Sequence, residues 1–421
     1  MAQDTRAHAR SGTTSSAEGR RPFVLAPFRG LRFDPAQVGD LGSVISPPYD
    51  VLDADTVRDL EEANRRNIVR LILSRRYERP YLAVRTRLQQ WRDRGYLCAD
   101  PVPGLYLYQY TVDQATVRGL IGLAALRQEP ERVILPHEDV MRGPVEDRTV
   151  LMRTTRTNLE PILLVHEGTH RLRTLIGTAA QQQPLARFQA LDGSAHELWQ
   201  LTDPQTLSAV AREIADSQVL IADGHHRYAA YLQLQQQLRD PGLPMEQSPW
   251  DFGLAMLVDQ QDYSLRVGPI HRSVAALTIS DVQELAGERG DGFSVHPDRE
   301  TAFAERATRA ERPGTAAFVL SDGRVWAVLS TPRTHAVDAA VLHGTLLPAW
   351  HIADEQLSYH HSLDQALHTT TRQPGLVVAV EPPTMQDVMR TAAAGMRMPR
   401  KSTSFHPKPR MGVVMRDLHD G

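Results

Sequence analysis

One stretch of the sequence combines residue types suited to phosphate chemistry. It is Asp223-Gly224-His225-His226-Arg227-Tyr228, directly after the apolar run 219–222. The pattern predicts a buried strand, a glycine turn and a helix start, whose free N–H groups and positive dipole end bind anions. Gly224 allows close backbone approach, and His225, His226 and Arg227 add donors suited to phosphate. Asp223 is a candidate proton acceptor or Mg²⁺ ligand and His226 a second catalytic candidate. The alternative is an aspartate cap beside solvated side chains.

Lysine is almost absent from a chain that is rich in arginine. Of 47 basic residues only Lys401 and Lys408 are lysine, and both lie in the segment 399–409, which we call the lysine motif. A surface charge tolerates either residue, whereas a site that needs a compact ammonium does not. Unless their survival is chance, the two lysines bind phosphate together with Ser402 and Thr403. We therefore expect Lys401 or Lys408 to lie within reach of the turn 223–227.

Besides the lysine motif, two further polar clusters are candidate parts of the same site. They are His137 and Glu138 with Asp147 and Arg148, and His271 with Arg272. Asp50, which ends the segment Pro47-Pro48-Tyr49-Asp50, is a further single candidate. Glu138 is a second acid or base candidate, and the remaining residues are candidates for substrate binding or support. Each cluster is equally compatible with a surface ion-pair network. For Tyr359-His360-His361 a structural role is favoured.

Several common catalytic scaffolds are disfavoured by their missing motifs. His225 and His226 are adjacent, so their side chains diverge on a helix and cannot form an i, i+4 zinc pair. His137-Glu138 and His196-Glu197 lack the second histidine of H-E-x-x-H. The chain carries no Walker A motif, no G-x-G-x-x-G after a strand and no G-x-S-x-G elbow. Phosphate binding must therefore come from another scaffold.

Composition predicts a globular protein of the cytoplasm. The 421 residues are 41% hydrophobic and 23% charged, with a net charge of −3, so no global field attracts nucleic acid or an anionic membrane. The only cysteine, Cys98, cannot form an internal disulfide, as suits a reducing compartment. No apolar run approaches the length of a membrane span, and the amino-terminal residues contain no secretory h-region.

The order of helix and strand patterns predicts an α+β fold. Residues 1–21 are poor in large apolar side chains and are predicted to be disordered. A first unit spans 22–297, and a second α+β unit with the lysine motif spans 298–421. Within them, 44–46 reads as a short strand, Ser321-Asp322-Gly323-Arg324 as a hairpin turn, and 412–415 as the last strand.

Taken together, six motifs in order resemble the domain-of-unknown-function family DUF1015 over nearly the whole chain from Pro22. They are Pro47-Pro48-Tyr49-Asp50-Val51, Leu135-Pro136-His137-Glu138, Asp147-Arg148, the segment 221–228, Pro269-Ile270-His271-Arg272 and the segment 398–408. Ile270 and Arg400 depart from the family pattern, in which Thr and often Gln stand at these places. The family name carries no reaction.

The D-G-H-H-R element also resembles that of the free serine kinases, which have a ParB/sulfiredoxin-like fold. The resemblance implies such a nucleotide-binding core, with large insertions, for 22–297. It also implies nucleotide binding at Asp223 to Arg227, with ATP, ADP or CTP not distinguished. Because phosphoryl transfer needs a divalent ion, Mg²⁺ is expected with the nucleotide. The catalytic glutamate of those kinases has no residue-by-residue match here, and Glu138 is the candidate.

These observations lead to a nucleotide-dependent phosphotransferase, a kinase for a small hydroxyl metabolite such as serine or a related amino acid. Its partners are the nucleotide and the small substrate; a membrane is not expected, nucleic acid is disfavoured, and the oligomeric state is open. Two alternatives remain: a ParB-like regulator that binds nucleotide without chemistry, and a phosphatase that uses the same phosphate site with water as acceptor.

Overall fold

Parallel and antiparallel strands mix in one large sheet at the centre of the protein. The structure is a computed structural model that describes residues 20–73, 80–275, 277–372 and 374–419. Most of the predicted disordered tail 1–21 therefore lies outside the described residues. Within these, nine strands form the first sheet, in the order Ile134–Leu135, Val219–Asp223, Ile162–His166, Phe252–Asp259, Ala115–Ala125, Leu105–Val112, Ala195–Leu201 and Ala186–Gln189, with Leu25–Ala26 also beside Ala115–Ala125.

The pairing of Val219–Asp223 brings three chain segments to one edge of this sheet. The strand is parallel to Ile134–Leu135 and antiparallel to Ile162–His166. A parallel neighbour ends, and an antiparallel neighbour begins, at the edge where the strand itself ends. The loop after Leu135, the turn after Asp223 and the residues before Ile162 therefore meet there. The four apolar residues before Asp223 are buried, which fixes this arrangement.

A second sheet has an antiparallel core that includes the predicted hairpin. Among the described residues it contains six strands, in the order Gly292–His296, Trp326–Pro332, Thr315–Ser321, Gly375–Ala379, His271–Ala275 and Leu357–His360. The Asp322-Gly323 turn is confirmed, with Gly323 at φ +89°. The sheet takes strands from both sides of residue 298.

The carboxyl-terminal segment returns to the first half of the chain. Ser404–His406, inside the lysine motif, pairs with Arg266–Gly268. Met415–Asp417 lies between Gly30–Phe33 and Thr157–Asn158 in a sheet that Leu97–Ala99 completes. Isolated bridges join Glu138 to Met398 and Ser46 to Met411. These pairings place the lysine motif beside the edge described above.

Two predicted strands differ from the structure. The last strand was expected over 412–415 but covers Met415–Asp417, because Gly412 adopts φ +86° and turns the chain first. The strand over 44–46 was wrong: Asp40 caps a 3₁₀-helix at Leu41–Ser43, and Pro47 and Pro48 follow. Two prolines allow no regular ladder there, and only Ser46 forms a bridge.

Helices pack on both sheets, so the predicted α+β class is confirmed. In the part of the chain that is described, none is long and apolar enough to cross a membrane. The α-helices are Pro35–Val38, Ala54–Ala63, Val69–Ile72, Pro80–Asp93, Arg142–Thr155, His170–Ala179, Pro204–Ile214, His225–Leu238, Ile279–Arg289, Arg299–Ala310, Asp338–Val341, Leu347–Ala349, Leu363–Arg372 and Met385–Ala393, with a π-helical segment at Leu342–Leu346 and 3₁₀ turns at Leu41–Ser43, Tyr49–Val51, Glu129–Glu131, Pro249–Asp251 and Asp354–Gln356.

Candidate functional site

The predicted strand, glycine turn and helix form as expected. Gly224 adopts φ +95° between the strand Val219–Asp223 and the helix His225–Leu238, which we call the site helix. Its carbonyl accepts from Tyr228 N at 2.8 Å, which closes the first helical turn. The N–H groups of this turn have no partner within the helix. A 14-residue helix thus begins at the sheet edge with donors available for an anion.

Gly224→Ala is expected to destabilise the protein by about 1 to 2 kcal/mol or more, because a left-handed φ is costly for alanine. The added Cβ would also lie 2.8 Å from Ile162 Cγ2. Gly177→Ala is the matched control, since Gly177 lies inside a helix with open space where its Cβ would go. That variant is expected to gain about 0.5 to 1 kcal/mol. Urea denaturation measures both, and equal effects would contradict the assigned role of Gly224.

Residues far apart in the sequence surround one cleft at the start of the site helix. Its volume is about 840 Å³, counting the open mouth. It is lined by Tyr49, Asp50, Glu138, Met141, Pro144, Asp147, Arg148, Ala222, Asp223, Gly224, His225, His226, Arg227, Ile270, His361, Lys401, Thr403 and Lys408. Five of the six sequence motifs thus contribute predicted site residues to one concave surface, and the sixth contributes Ile270.

Lys408 bridges two carboxylates at the base of this arrangement. Its Nζ lies 2.6 Å from Asp50 Oδ2 and 2.7 Å from Asp223 Oδ1. The expectation that a lysine lies within reach of the 223–227 turn is therefore confirmed. Burial alone would lower the pKa of Lys408, but the two carboxylates raise it above its ordinary value. Burial would likewise raise the pKa of Asp223, yet Lys408 and Arg227 hold it far below normal.

The Arg227 guanidinium stabilises the turn 223–227 through its hydrogen bonds. Nη2 lies 2.5 Å from Asp223 Oδ2 and Nη1 lies 2.5 Å from Pro161 O, and the residue is 3% exposed. Glu160 Oε2 lies 3.5 Å from Nη1. Because this side chain already has protein partners, a phosphate contact from Arg227 depends on its backbone N–H.

A second arginine is held in a similar way. Arg148 Nη2 lies 2.5 Å from Asp147 Oδ2, and Nη1 lies 3.6 Å from Glu160 Oε1. The guanidinium carbon is 4.7 Å from the centre of the Tyr49 ring, a cation–π distance. The buried Glu160 thus lies between two arginines. The sequence analysis missed it because nothing in the local pattern distinguishes Glu160 from a surface glutamate.

Glu138 fixes the lysine motif against the first sheet. Oε1 accepts from Thr403 N at 2.6 Å and from Thr403 Oγ1 at 2.5 Å, and Oε2 accepts from Lys401 N at 3.1 Å. Lys401 has the left-handed φ of +58° that this turn requires. Burial would raise the pKa of Glu138, but His137, His225 and Thr403 lower it to about 2. The carboxylate is therefore ionised and occupied.

Two predicted residues of this region lie behind the cleft wall. His137 is fully buried, and its Nε2 lies 2.8 Å from Thr403 Oγ1. Ser402 Oγ donates to Pro399 O at 2.6 Å within the lysine motif. Neither side chain lines the cleft. Both therefore support the turn that carries Lys401.

His225 and His226 diverge, as their adjacency predicts. His225 Nε2 accepts from His137 N at 3.4 Å, and His226 Nε2 accepts from Met141 N at 3.0 Å. These acceptor roles assign the ring proton to Nδ1 in each neutral ring. Burial lowers the pKa of His225 to about 3 and, with help from Lys401, that of His226 to about 4. Both rings are neutral at pH 7, and His226 retains an Nδ1–H donor.

Acid is expected to destabilise the protein through these buried histidines. The pKa of His226 is about 4 in the fold and 6.5 ordinarily. Unfolding between these pH values therefore takes up a proton, and stability falls as pH decreases, by about 1.4 kcal/mol per pH unit for each such group. His226→Gln, which keeps an acceptor for Met141 N, is expected to reduce the slope of unfolding free energy against pH. His170→Gln, at an exposed position, should not; equal slopes for both variants would contradict the prediction.

His271 and Arg272 lie outside the cleft. His271 Nδ1 accepts from Val380 N at 3.2 Å, and Arg272 Nε lies 3.3 Å from His343 Nε2. The fully buried Arg272 guanidinium also lies 5.2 Å from the centre of the Tyr359 ring. Both residues pack within the second sheet. Of their motif, Ile270 lines the cleft.

His361 lines the cleft although its motif favoured a structural role. Its Nδ1 lies 3.1 Å from Ser404 Oγ. Its neighbour His360 is structural, with Nε2 at 2.8 Å from Ser273 Oγ. Adjacent residues at a strand end point to opposite sides. This alternation could have predicted from the sequence that His360 and His361 have different environments.

The side chains do not fit a protein-held divalent ion. Lys408 occupies the position between Asp50 and Asp223 that a cation would take, and Arg227 holds the other oxygen of Asp223. Across the described ranges, no three His, Cys, Asp or Glu side chains gather as metal ligands. Mg²⁺ at this cleft would have to come with a ligand that supplies its own oxygens.

Comparisons with known proteins identify a family and distant structural neighbours. No curated protein matches the chain. Among solved structures, a free serine kinase mutant in complex with ADP is 15% identical, with 73% of this chain and 92% of that chain covered and a TM-score of 0.37. A conserved hypothetical protein from Pyrococcus furiosus is 15% identical (72% and 96% covered, TM-score 0.38), and SbnI with a C-terminal truncation, from Staphylococcus aureus, is 11% identical (69% and 84% covered, TM-score 0.38).

TM-scores this low do not establish a shared architecture, so the function of this protein has to be inferred from its own side chains. At the level of sequence, a family model described as "Protein of unknown function (DUF1015)" matches residues 25–354. The matched range contains all the residues that line the cleft except His361 and those of the lysine motif.

Proposed function

Because the chain belongs to the DUF1015 family, whose description names no reaction, we propose from the cleft itself that it is a nucleotide-dependent phosphotransferase for a small hydroxyl compound. One observation carries the proposal: Lys401, the start of the site helix and the Asp50–Lys408–Asp223 bridge, which are distant in sequence, line the same cleft. Phosphoryl transfer requires chiefly the positioning of reactants and the stabilisation of charge.

The nucleotide phosphates are proposed to bind at the start of the site helix. The first-turn N–H groups, Gly224 in its left-handed conformation and the Nδ1–H of His226 supply neutral donors. Lys401 supplies an available positive charge, since its ammonium makes no hydrogen bond or ion pair with the described residues. Thr403, held by Glu138, positions the Lys401 turn.

The Lys408 bridge makes the cleft electrostatically compatible with phosphate. Without it, the Asp50 and Asp223 carboxylates would repel an anionic ligand at a distance of a few ångströms. Lys408 and Arg227 compensate these charges, and burial strengthens the compensation. In this proposal Asp223 is the anchor of that arrangement, and Mg²⁺ arrives with the nucleotide.

The acceptor proposed for the first test is serine or a related amino acid, because the D-G-H-H-R element resembles that of free serine kinases. The single cysteine, Cys98, is free, which suits a cytoplasmic protein.

The test is incubation of the full-length protein with ATP, ADP or CTP, Mg²⁺ and a pool of hydroxyl metabolites, with products identified by mass spectrometry. Transfer of phosphate to one hydroxyl compound is expected, together with calorimetric binding of one nucleotide. Hydrolysis without an acceptor product would instead support the phosphatase alternative, and binding without turnover but with changed oligomeric state the regulator. Absence of both binding and turnover would overturn the proposal.

A further inference from the structure

We propose that Asp50 takes the proton from the acceptor hydroxyl during phosphoryl transfer. The inference rests on the proposed function and adds to it the identity of the catalytic base. Asp223 and Glu138 stand out in the sequence as bases, whereas Asp50 has no such local signal. The hydrogen bonds of the cleft instead favour Asp50 as the base over Asp223 and Glu138.

Neither Asp223 nor Glu138 has an oxygen free for a substrate. Asp223 Oδ1 lies 2.7 Å from Lys408 Nζ, and Oδ2 lies 2.5 Å from Arg227 Nη2. Glu138 uses Oε1 for Thr403 and Oε2 for Lys401 N. Such bonds stabilise the ionised form, as the lowered pKa values of both carboxyls indicate. A carboxylate held in this way is a weak proton acceptor.

The other carboxylates at the cleft are also engaged. Asp147 Oδ1 accepts from Tyr81 Oη at 2.6 Å, and Oδ2 lies 2.5 Å from Arg148 Nη2. Glu160 is 5% exposed, lies between Arg148 and Arg227, and does not line the cleft. These contacts hold the wall of the site together. They leave one carboxylate to consider.

Asp50 combines an available oxygen with a fixed position. Its Oδ2 lies 2.6 Å from Lys408 Nζ, while Oδ1 has no hydrogen-bond partner among the described residues. The side chain is 18% exposed, against 9% for Glu138, and lines the cleft. Pro47 and Pro48 restrict the backbone just before its 3₁₀ turn. Lys408 also joins Asp50 to Asp223, which ends the strand that leads into the site helix.

The proposed step balances without any further reactant. The acceptor hydroxyl oxygen forms a bond to the terminal phosphorus of the nucleotide, and the bond from that phosphorus to the bridging oxygen breaks. The electron pair of the broken bond stays on the leaving nucleotide. The hydroxyl proton passes to Asp50 Oδ1 and then to solvent through the open mouth. A positioned aspartate serves the same purpose in other phosphoryl transfers.

The experiment compares Asp50→Asn with Glu138→Gln in the full-length protein. The amide in Asp50→Asn would keep the size of the side chain and an oxygen for Lys408 but would accept no proton. Turnover is expected to fall by about a hundredfold or more, with ADP affinity within about threefold of wild type. Asp50→Glu is expected to restore part of the turnover. Glu138→Gln loses the Lys401 N contact and is expected to weaken ADP binding more than turnover at saturating nucleotide.

Asp262→Asn, at an exposed position outside the cleft, is the control and should behave as wild type. Thermal denaturation checks that each variant is folded. Wild-type turnover by a folded Asp50→Asn protein would overturn this inference and leave the proposed function intact. So would loss of turnover in Glu138→Gln at saturating nucleotide while Asp50→Asn stays active. A wild-type protein that transfers no phosphate to any acceptor would overturn the proposed function and the inference with it.

Discussion

Replacing Lys408 with methionine is expected to lower the free energy of unfolding by about 3 to 5 kcal/mol. The side chain is 6% exposed and is the only cation within 3 Å of Asp50 in the part of the chain that is described. Its removal leaves Asp50 without a partner and Asp223 with Arg227 alone. Two partly buried carboxylates then face each other beside the protein interior, where their repulsion is screened less than in bulk water. Urea denaturation at pH 7 measures the loss.

Three matched variants separate the charge from the shape of Lys408. Lys401→Met removes the other lysine of the chain and should change stability by less than about 0.5 kcal/mol. Lys408→Arg keeps the charge but should not restore wild-type stability. A planar guanidinium does not fit where one ammonium meets two oxygens at 2.6 and 2.7 Å. Asp223→Asn in the Lys408→Met background should recover part of the loss. If Lys408→Met were as stable as Lys401→Met, the bridge would have no energetic importance.

Lys401→Met is expected to weaken ADP binding by about tenfold to a hundredfold, which corresponds to the loss of one charge-assisted hydrogen bond. Lys401 lines the cleft beside the site helix and lowers the pKa of His226, which places its charge near the proposed phosphate position. Isothermal titration at two salt concentrations measures both affinity and the screened part of the interaction.

Lys401→Arg is the control for this second prediction. It retains the positive charge at the edge of the cleft but should recover only part of the affinity, because a planar guanidinium replaces the compact ammonium. Unchanged stability of both variants would assign the effect to binding. ADP binding of Lys401→Met at the wild-type level would exclude Lys401 from the phosphate site and direct attention to the helix amides alone.

The sequence was most informative where chemistry and local structure coincide. The run from Val219 to Tyr228 predicted strand, turn and helix because apolar periodicity and glycine are local signals. The scarcity of lysine predicted that Lys401 or Lys408 lies within reach of the 223–227 turn. Lys408 does so through Asp223, a contact that no local pattern reveals. The same reasoning did not show that Arg227 and Glu138 are held by other protein groups.

The features of the site that the sequence did not predict depend on contacts between residues that are distant in the chain. Glu160 and the two arginines meet only because Ile162–His166 runs antiparallel to Val219–Asp223. His271 and Arg272 turn away from the cleft because their strand pairs inside the second sheet. A one-dimensional pattern indicates which residues carry charge. Burial and sheet register decide which of those charges remain available to a ligand.

The ion pair between Asp50 and Lys408 also determines when the site can be completed during protein synthesis. The two residues are 358 positions apart in the chain. At a synthesis rate of roughly 5 to 20 residues per second, the ribosome needs about 20 to 70 s to pass from one to the other. From about the middle of that interval, both Asp50 and Asp223 exist in a nascent chain whose neutralising ammonium has not been made. The cleft is therefore completed late in synthesis, and a chain interrupted before Lys408 would carry an acidic, unfinished site.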